Sequence, residues 1–435
     1  MAKAGPPRPY RALRHKDFAR LLVSQVLSVT GSQMQVVAIN WQVYRLTHSP
    51  LALGFVGLTR VVPIIVFSLW AGLVADRHDR RKVMIVTQLL MTVAALALAA
   101  VTYTDRVTLW LIYGLNAFSA AAGAFDGPSR QSLIPRLVPA EDLPGALSLN
   151  FSAYQVSSIA GPALAGAVLA AAGGDRHGLA LIYLVNALSF LCVVAALALM
   201  REGRGVPVSD GAAATHPIAA LREGLHFVFT TPLIVWTMSL DFLATFFSGS
   251  MSLLPIFADQ VLHVGAGGYG LLASAPAVGA LVGSLYLSIV PLPEKQGRVF
   301  LWAVGAYGAA TVVFGLSRVF WLTLLGLAAT GLADAISTVI RQTLRQLATP
   351  DALRGRMTSV NMIFFMGGPQ LGELEAGFVA SLFASAAIGV TVSVVSGGLA
   401  TILVAAFVAR RAAVLRAYDF RQQASSPSPT GRGTG

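Results

Sequence analysis

Charge is scarce in this chain. Asp, Glu, Lys and Arg make up 11% of its 435 residues, against about a quarter in ordinary soluble domains. Apolar residues reach 55%, and the mean hydropathy is +0.70. A soluble domain of this length could not hide that much apolar surface. Cysteine is nearly missing: Cys192 stands alone inside an apolar run, which excludes an internal disulfide and a cysteine-based metal cluster. The seven histidines are scattered without metal-ligand spacing. No Ser/His/Asp arrangement and no Walker loop is visible, so neither an enzyme nor an ATP site or other cofactor is expected. Gly265-Ala-Gly267-Gly268-Tyr-Gly270 spells a dinucleotide fingerprint, but no strand precedes it, and it reads as a loop leading into the next apolar run. The net charge of +12 does not point to nucleic acid, because the basic residues sit singly or in short groups between apolar runs.

What the chain has instead is long, continuous apolar runs, too long for strands and not alternating as in a membrane barrel. Membrane helices of ~20 to 25 residues fit about a dozen times into this length. The first six expected spans are Phe18–Leu46, Leu51–Ala75, Val83–Tyr103, Leu109–Leu133, Leu143–Ala172 and Leu179–Met200. The second six are Leu233–Leu262, Tyr269–Val290, Val299–Leu316, Phe320–Leu347, Met357–Leu382 and Ile388–Arg410. The expected fold is thus all-α and integral to the membrane, with twelve transmembrane helices. Its expected divisions are a bundle over 1–200, a polar linker over 201–220, a second bundle over 221–412 and a disordered tail over 413–435. An amphipathic helix is expected over Ile218–Phe229.

Lys and Arg set the orientation. Arg45, Arg106, Arg176 and Arg318 fall on one side, Arg60 lies inside a span, and all the rest of the 31 fall on the other side. That asymmetry places both termini in the cytoplasm. The densest charge is the Gly72 to Lys82 stretch between spans 2 and 3, where the chain must leave the membrane and turn back.

The halves echo each other at a spacing of about 210 residues. Asp126, Arg130-Gln131 and Val138-Pro139 are matched by Asp334, Arg341-Gln342 and Thr349-Pro350, and Gly161-Pro162 by Gly368-Pro369. Two related six-helix halves suggest alternating access, with a substrate site between them near the midplane.

These residues resemble the major facilitator superfamily. Its signature in the loop between helices 2 and 3 is matched by Gly72, Asp76, Arg77, Arg80 and Arg81. Glu294-Lys295 and Gly297-Arg298 keep only a remnant of the second copy. The stretches Phe125 to Asn150 and Leu353 to Asn361 look like the exporter branch that includes the enterobactin exporter and related drug efflux pumps. The resemblance implies that Asp76, Arg77, Arg80 and Arg81 latch the halves on the cytoplasmic side, stabilising an outward-open state. It also implies that helices 1, 4, 7 and 10 line a central cavity. On helix 5, Gly161, Pro162 and Gly166 resemble part of the antiporter signature, with Ser157 where its first glycine belongs.

Ionisable residues inside the spans are expensive and point to function. Asp126 and Arg130 share a face at i, i+4 and can pair, Asp334 and Arg341 share a face at i, i+7, and all four are candidates for proton coupling. Asp241 has no basic residue within four positions on its own helix, which makes it the first proton-carrier candidate, with Glu373 and Glu375 next. The cavity candidates are Gln35, Asn40, Gln155, Phe246 and Phe247. The expected function is a proton-driven exporter of small amphipathic molecules, such as drugs or siderophores, across the bacterial plasma membrane. The expected partners are a small-molecule substrate and the lipid bilayer, with no nucleic acid and no obligate protein partner. An importer or lipid flippase on the same fold, or a receptor that binds without moving its ligand, are the alternatives.

Overall fold

A computed structural model describes residues 9–200, 217–290, 294–350 and 353–419. Among them there is no strand. After a 3-10 turn at Pro9–Arg14, the first half runs α1 (Lys16–Thr47), α2 (Pro50–Arg77), α3 (Arg80–Tyr103), α4 (Leu109–Leu133), α5 (Leu143–Ala171) and α6 (Arg176–Leu199). The second half follows as α7 (Pro217–Thr230), α8 (Pro232–Phe247), α9 (Leu254–Ile256), α10 (Gly265–Ile289), α11 (Gln296–Leu316), α12 (Phe320–Ala348), α13 (Arg354–Ser381), α14 (Ala386–Arg411) and α15 (Ala413–Ala417). A 3-10 turn precedes α9, and a π-helical turn, Phe257–Val261, follows it.

Helix is forced here because hydrocarbon offers backbone groups no partner except their own chain. Ten of these segments are long and apolar enough to cross a bilayer, counting Pro232–Val261 as one. The more polar α4 and α13, of 25 and 28 residues, stand in the same bundle. Large apolar side chains turn outward, as lipid contact requires: Trp110 and Trp302 are 80% exposed, and Ile289 likewise. Helix starts are set locally. Ser49, ahead of Pro50, accepts from the Ala52 N–H, and Asp79 accepts from the Arg81 N–H at 3.0 Å to cap α3.

The sequence-based boundaries hold closely, with four corrections. Span 7 is not one helix. It breaks at Ser248-Gly249-Ser250, where Gly249 backs onto Gly372 and the Ser248 hydroxyl lies 2.8 Å from that of Thr401. The Gly265 to Gly270 stretch is no loop but the first turns of α10, because its glycines let that helix lie directly against α5. The tail is ordered at its start: α15 docks on α11, and the Gly297 N–H donates to the Tyr418 carbonyl at 3.4 Å. The amphipathic segment is the helix α7, so residues 217–220 of the expected linker are helical. Its residues 201–216, and the tail from 420 onward, lie outside the described residues.

Each half is built on its own helix pairs: α1 on α5 and α6, α3 on α4 and α6, α10 and α11 on α12, and α11 on α14. The halves meet along two seams, α2 with α13 and α5 with α10. Both seams lie toward the end that carries the α1–α2 turn, and both depend on missing side chains. A Cβ on Gly270 would stand 2.4 Å from the Gly166 Cα, and one on Gly377 2.6 Å from the Pro50 carbonyl oxygen. Close approach of this kind is how helices associate where no hydrophobic force acts between them. Gly270→Leu is therefore expected to lower the thermal midpoint of the purified protein by several degrees. Gly114→Leu, where an added Cβ would have nothing within 4 Å, should leave it unchanged.

Candidate transport cavity and charge clusters

Between the halves lies a cavity of about 640 Å³. It runs from Ile39 and Asn116, nearer the α1–α2 turn, to Ser68, Pro128 and Thr358, toward the end that carries the α2–α3 turn. At that second end Ser68, Thr358 and Met362 are exposed. The opposite end is shut. Trp41 of α1 stacks on Tyr269 of α10 with ring centroids 5.8 Å apart. The Tyr44 hydroxyl donates to Asp259 Oδ2 at 2.5 Å, and Gln260 Nε2 donates to the same hydroxyl at 3.3 Å. This latch joins one half to the other, and spacing along the chain gave no signal for it, since its partners are 215 residues apart.

The cavity wall comes mostly from the first half. Gln35 lines it as expected, accepting from Asn186 Nδ2 at 2.7 Å. Asn40 lies further toward the shut end, within hydrogen-bonding reach of Tyr269, and belongs to the seal. Gln155, Phe246 and Phe247 do not line it. The aromatics of α8 are consumed by one another instead: Phe246 stacks on Phe242 at 6.0 Å and meets Phe247 edge-on at 5.2 Å, and Phe242 meets Phe364 of α13. The contribution of the second half is Thr358, Met362 and Met366 of α13.

Two charge clusters stand beside the cavity, one in each half. Asp126 and Arg130 pair as the spacing predicts, with Asp126 Oδ2 taking 2.6 and 3.1 Å hydrogen bonds from Nη2 and Nε. The other oxygen accepts from Gln88 Nε2 at 2.9 Å and from the Thr87 hydroxyl at 3.4 Å. The carboxylate is thus tied to α3 and turned away from the cavity.

In the second half Asp241 is not isolated. Arg341 of α12 reaches it with a direct Nη1–Oδ1 ion pair, and the two side chains are 3% and 6% exposed. Arg341 Nη1 also lies 3.5 Å from Asp334, the partner expected from spacing. Arg345 donates to Asn361 of α13. A small void big enough for about one water adjoins Asp241, Tyr307, Asp334 and Arg341. Asp241 has no basic neighbour along its own helix, and Arg341 reaches it from α12, a contact that spacing within one helix does not signal.

Glu373 of α13 lies in the α2–α13 seam, with Oε2 2.5 Å from where a Gly57 Cβ would stand. Glu375 stands half-buried on the same helix. On α5, Gly161 meets Gln33 and Thr30 of α1, and Gly166, with the Pro162 carbonyl, meets Gly270. The antiporter-like residues thus form packing surfaces. In the loop signature, Arg80 donates to the Ser132 carbonyl at 3.2 Å and Arg81 to the Ala198 carbonyl at 2.9 Å. Both bonds stay within the first half, as befits a structure open at this end. The side chains of Asp76 and Arg77, and the surroundings of Gly72, lie outside the described residues.

Two related helical halves, shut at one end and hollow toward the other, define a membrane transporter of the major facilitator type. More narrowly, the chain belongs to the transmembrane secretion effector family, whose model matches residues 8–430. The enterobactin exporter EntS of Citrobacter koseri is 26% identical over 347 residues, which is 80% of this chain and 81% of that protein. EntS of Shigella boydii is 25% identical over the same shares. The fold is also that of a bacterial homolog of the human lysosomal transporter Spinster in an inward-facing, occupied conformation. There the TM-score is 0.73 at 14% identity, covering 97% of this chain and 100% of that one. A bacterial homologue of the iron transporter ferroportin gives 0.69 at 18%, covering 92% and 99%.

Removing one member of a buried ion pair strands the other. Asp241→Asn and Arg341→Gln are each expected to cost about 3 kcal/mol of stability. The double variant should cost clearly less than the sum of the two, as read by thermal unfolding in detergent.

Proposed function

We propose that this protein is a proton-coupled exporter of small amphipathic molecules, such as siderophores or drugs, working by alternating access in the bacterial plasma membrane with both termini in the cytoplasm. The observation that carries this reading is the 640 Å³ cavity between the halves, open only toward the end that bears the basic loop. With that end cytoplasmic, as the Lys and Arg asymmetry requires, the structure is poised to receive substrate from inside. The likeness to enterobactin exporters supports the direction.

The coupling site we favour is Asp241 with Arg341. Proton binding to Asp241 removes the counter-charge of Arg341 and leaves that cation to Asp334. The α8–α12 contact then has two arrangements that differ by one proton, which is what a switch between two conformations needs. Energy comes from the proton gradient in this account, with no nucleotide site. In inverted vesicles an imposed pH gradient, acid inside, should drive substrate uptake. Asp241→Asn should remove the dependence on the gradient while leaving downhill movement in place. Unchanged coupling in that variant would assign the proton to another acid, with Glu373 the next to replace.

A further inference from the structure

Among the described residues lining the cavity, one carries a charge. Arg60 stands on α2, well inside the membrane span, and lines the same wall as Ile64, Ile65 and Ser68. The guanidinium makes no hydrogen bond or ion pair to a described residue, and the Glu373 carboxylate of α13 acts on it only through space. Every other buried or half-buried cation inside the spans is engaged: Arg130 with Asp126, Arg341 with Asp241, and Arg345 with Asn361. A cation held at this depth with no direct hydrogen-bonded partner is expensive unless something else meets it.

The surroundings say what that would be. Two of the neutral polar side chains nearby are already committed, while Ser32 and Ser119 add hydroxyls to the wall. Asn116 donates to the Thr59 hydroxyl at 2.9 Å and to the Val56 carbonyl at 3.4 Å, and the Gln35 carbonyl oxygen is taken by Asn186. The remaining wall is soft and apolar, with Ile39, Ile64, Met91, Phe190, Met362 and Met366. Flexible thioethers fit ligands of irregular shape. No carboxylate faces this space among the described lining residues. A hydrophobic chamber with one fork-shaped cation and no acid is matched to an anion carrying a planar or branched oxyacid on an apolar body.

We propose that the cavity selects amphipathic anions, carboxylates or sulfonates with an aromatic body, and that Arg60 is the residue that recognises the charge. The inference rests on the reading of this cavity as the transport site and adds to it the class of substrate. Glu373 is the internal competitor. It lies in the α2–α13 seam against Gly57, one helical turn before Arg60 on α2, and it does not line the chamber.

The test uses the full chain in nanodiscs of zwitterionic lipid and two fluorescent probes with nearly the same ring system. One is 8-anilinonaphthalene-1-sulfonate, an anion, and the other is neutral N-phenyl-1-naphthylamine, with the signal of empty nanodiscs subtracted. The wild type is expected to bind the anion at least about tenfold more tightly than the neutral probe, the scale of a charge-assisted contact. Arg60→Gln should remove that preference and leave binding of the neutral probe unchanged, which also shows that the variant is folded. Arg60→Lys should keep most of the preference. The double variant Arg60→Gln with Glu373→Gln separates recognition from simple charge balance: anion preference stays lost if Arg60 recognises the ligand. Its return in the double variant would overturn the proposal, as would equal affinities of the wild type for both probes, or no saturable binding of the anion. Failure of proteoliposomes to export either probe, with binding dependent on Arg60 intact, would overturn the transport reading and leave the site.

Discussion

Hydrocarbon cannot solvate a polar group, and this one constraint arranges the molecule. Backbone groups find partners inside helices, and side-chain charges find them across short gaps. Asp126 is met by Arg130 and Gln88, and Asp241 by Arg341. Each pair offsets part of a desolvation cost of several kcal/mol per ion. With so many charges accounted for, the exception becomes informative. Arg60 lines the chamber without a direct hydrogen bond or ion pair to a described residue, with Glu373 acting on it through space, and that is the basis of the ligand proposed there.

The same constraint explains how the halves hold together and how they can part. No hydrophobic force joins helices within lipid, so the seams depend on glycines that bring backbones into contact, Gly166 with Gly270 and Gly377 with Gly54. Contacts of this kind are made or lost as surfaces, without unfolding either half. The Tyr44–Asp259 hydrogen bond and the Trp41–Tyr269 stack lock the shut end. At the open end Arg80 and Arg81 of the basic loop bond within their own half. One end latched and the other free is one of the two states that a rocking mechanism requires.

Much of the fold is legible in the sequence because apolar run length and the placement of Lys and Arg are one-dimensional signals. The same holds for the Asp126–Arg130 pair, whose geometry is fixed by helical spacing. What crosses between helices is not legible in this way. Asp241 looked unpaired because Arg341 lies a hundred residues further on. Phe246 and Phe247 looked available for substrate, but they pack on each other and Phe246 stacks on Phe242, which in turn meets Phe364 of α13, 122 residues away. The break at Gly249 depends on Gly372, even more distant in the chain. Arg60 carried a usable signal, a charge inside a span, but only the structure shows that it lines the cavity with Glu373 beside it in the α2–α13 seam.

The central claim is that opening one end and closing the other are a single event. Spin labels at His48 and His263 report the shut end, and labels at Gln131 and Leu347 the open end; all four positions are exposed. Distances between them can be measured by electron–electron double resonance in nanodiscs, with Asp259 intact and with Asp259→Asn, which removes the charged partner of Tyr44. The account predicts that the 48–263 distance lengthens in the variant and that the 131–347 distance shortens with it, in the same fraction of molecules. A longer 48–263 distance with the 131–347 distance unchanged would contradict it.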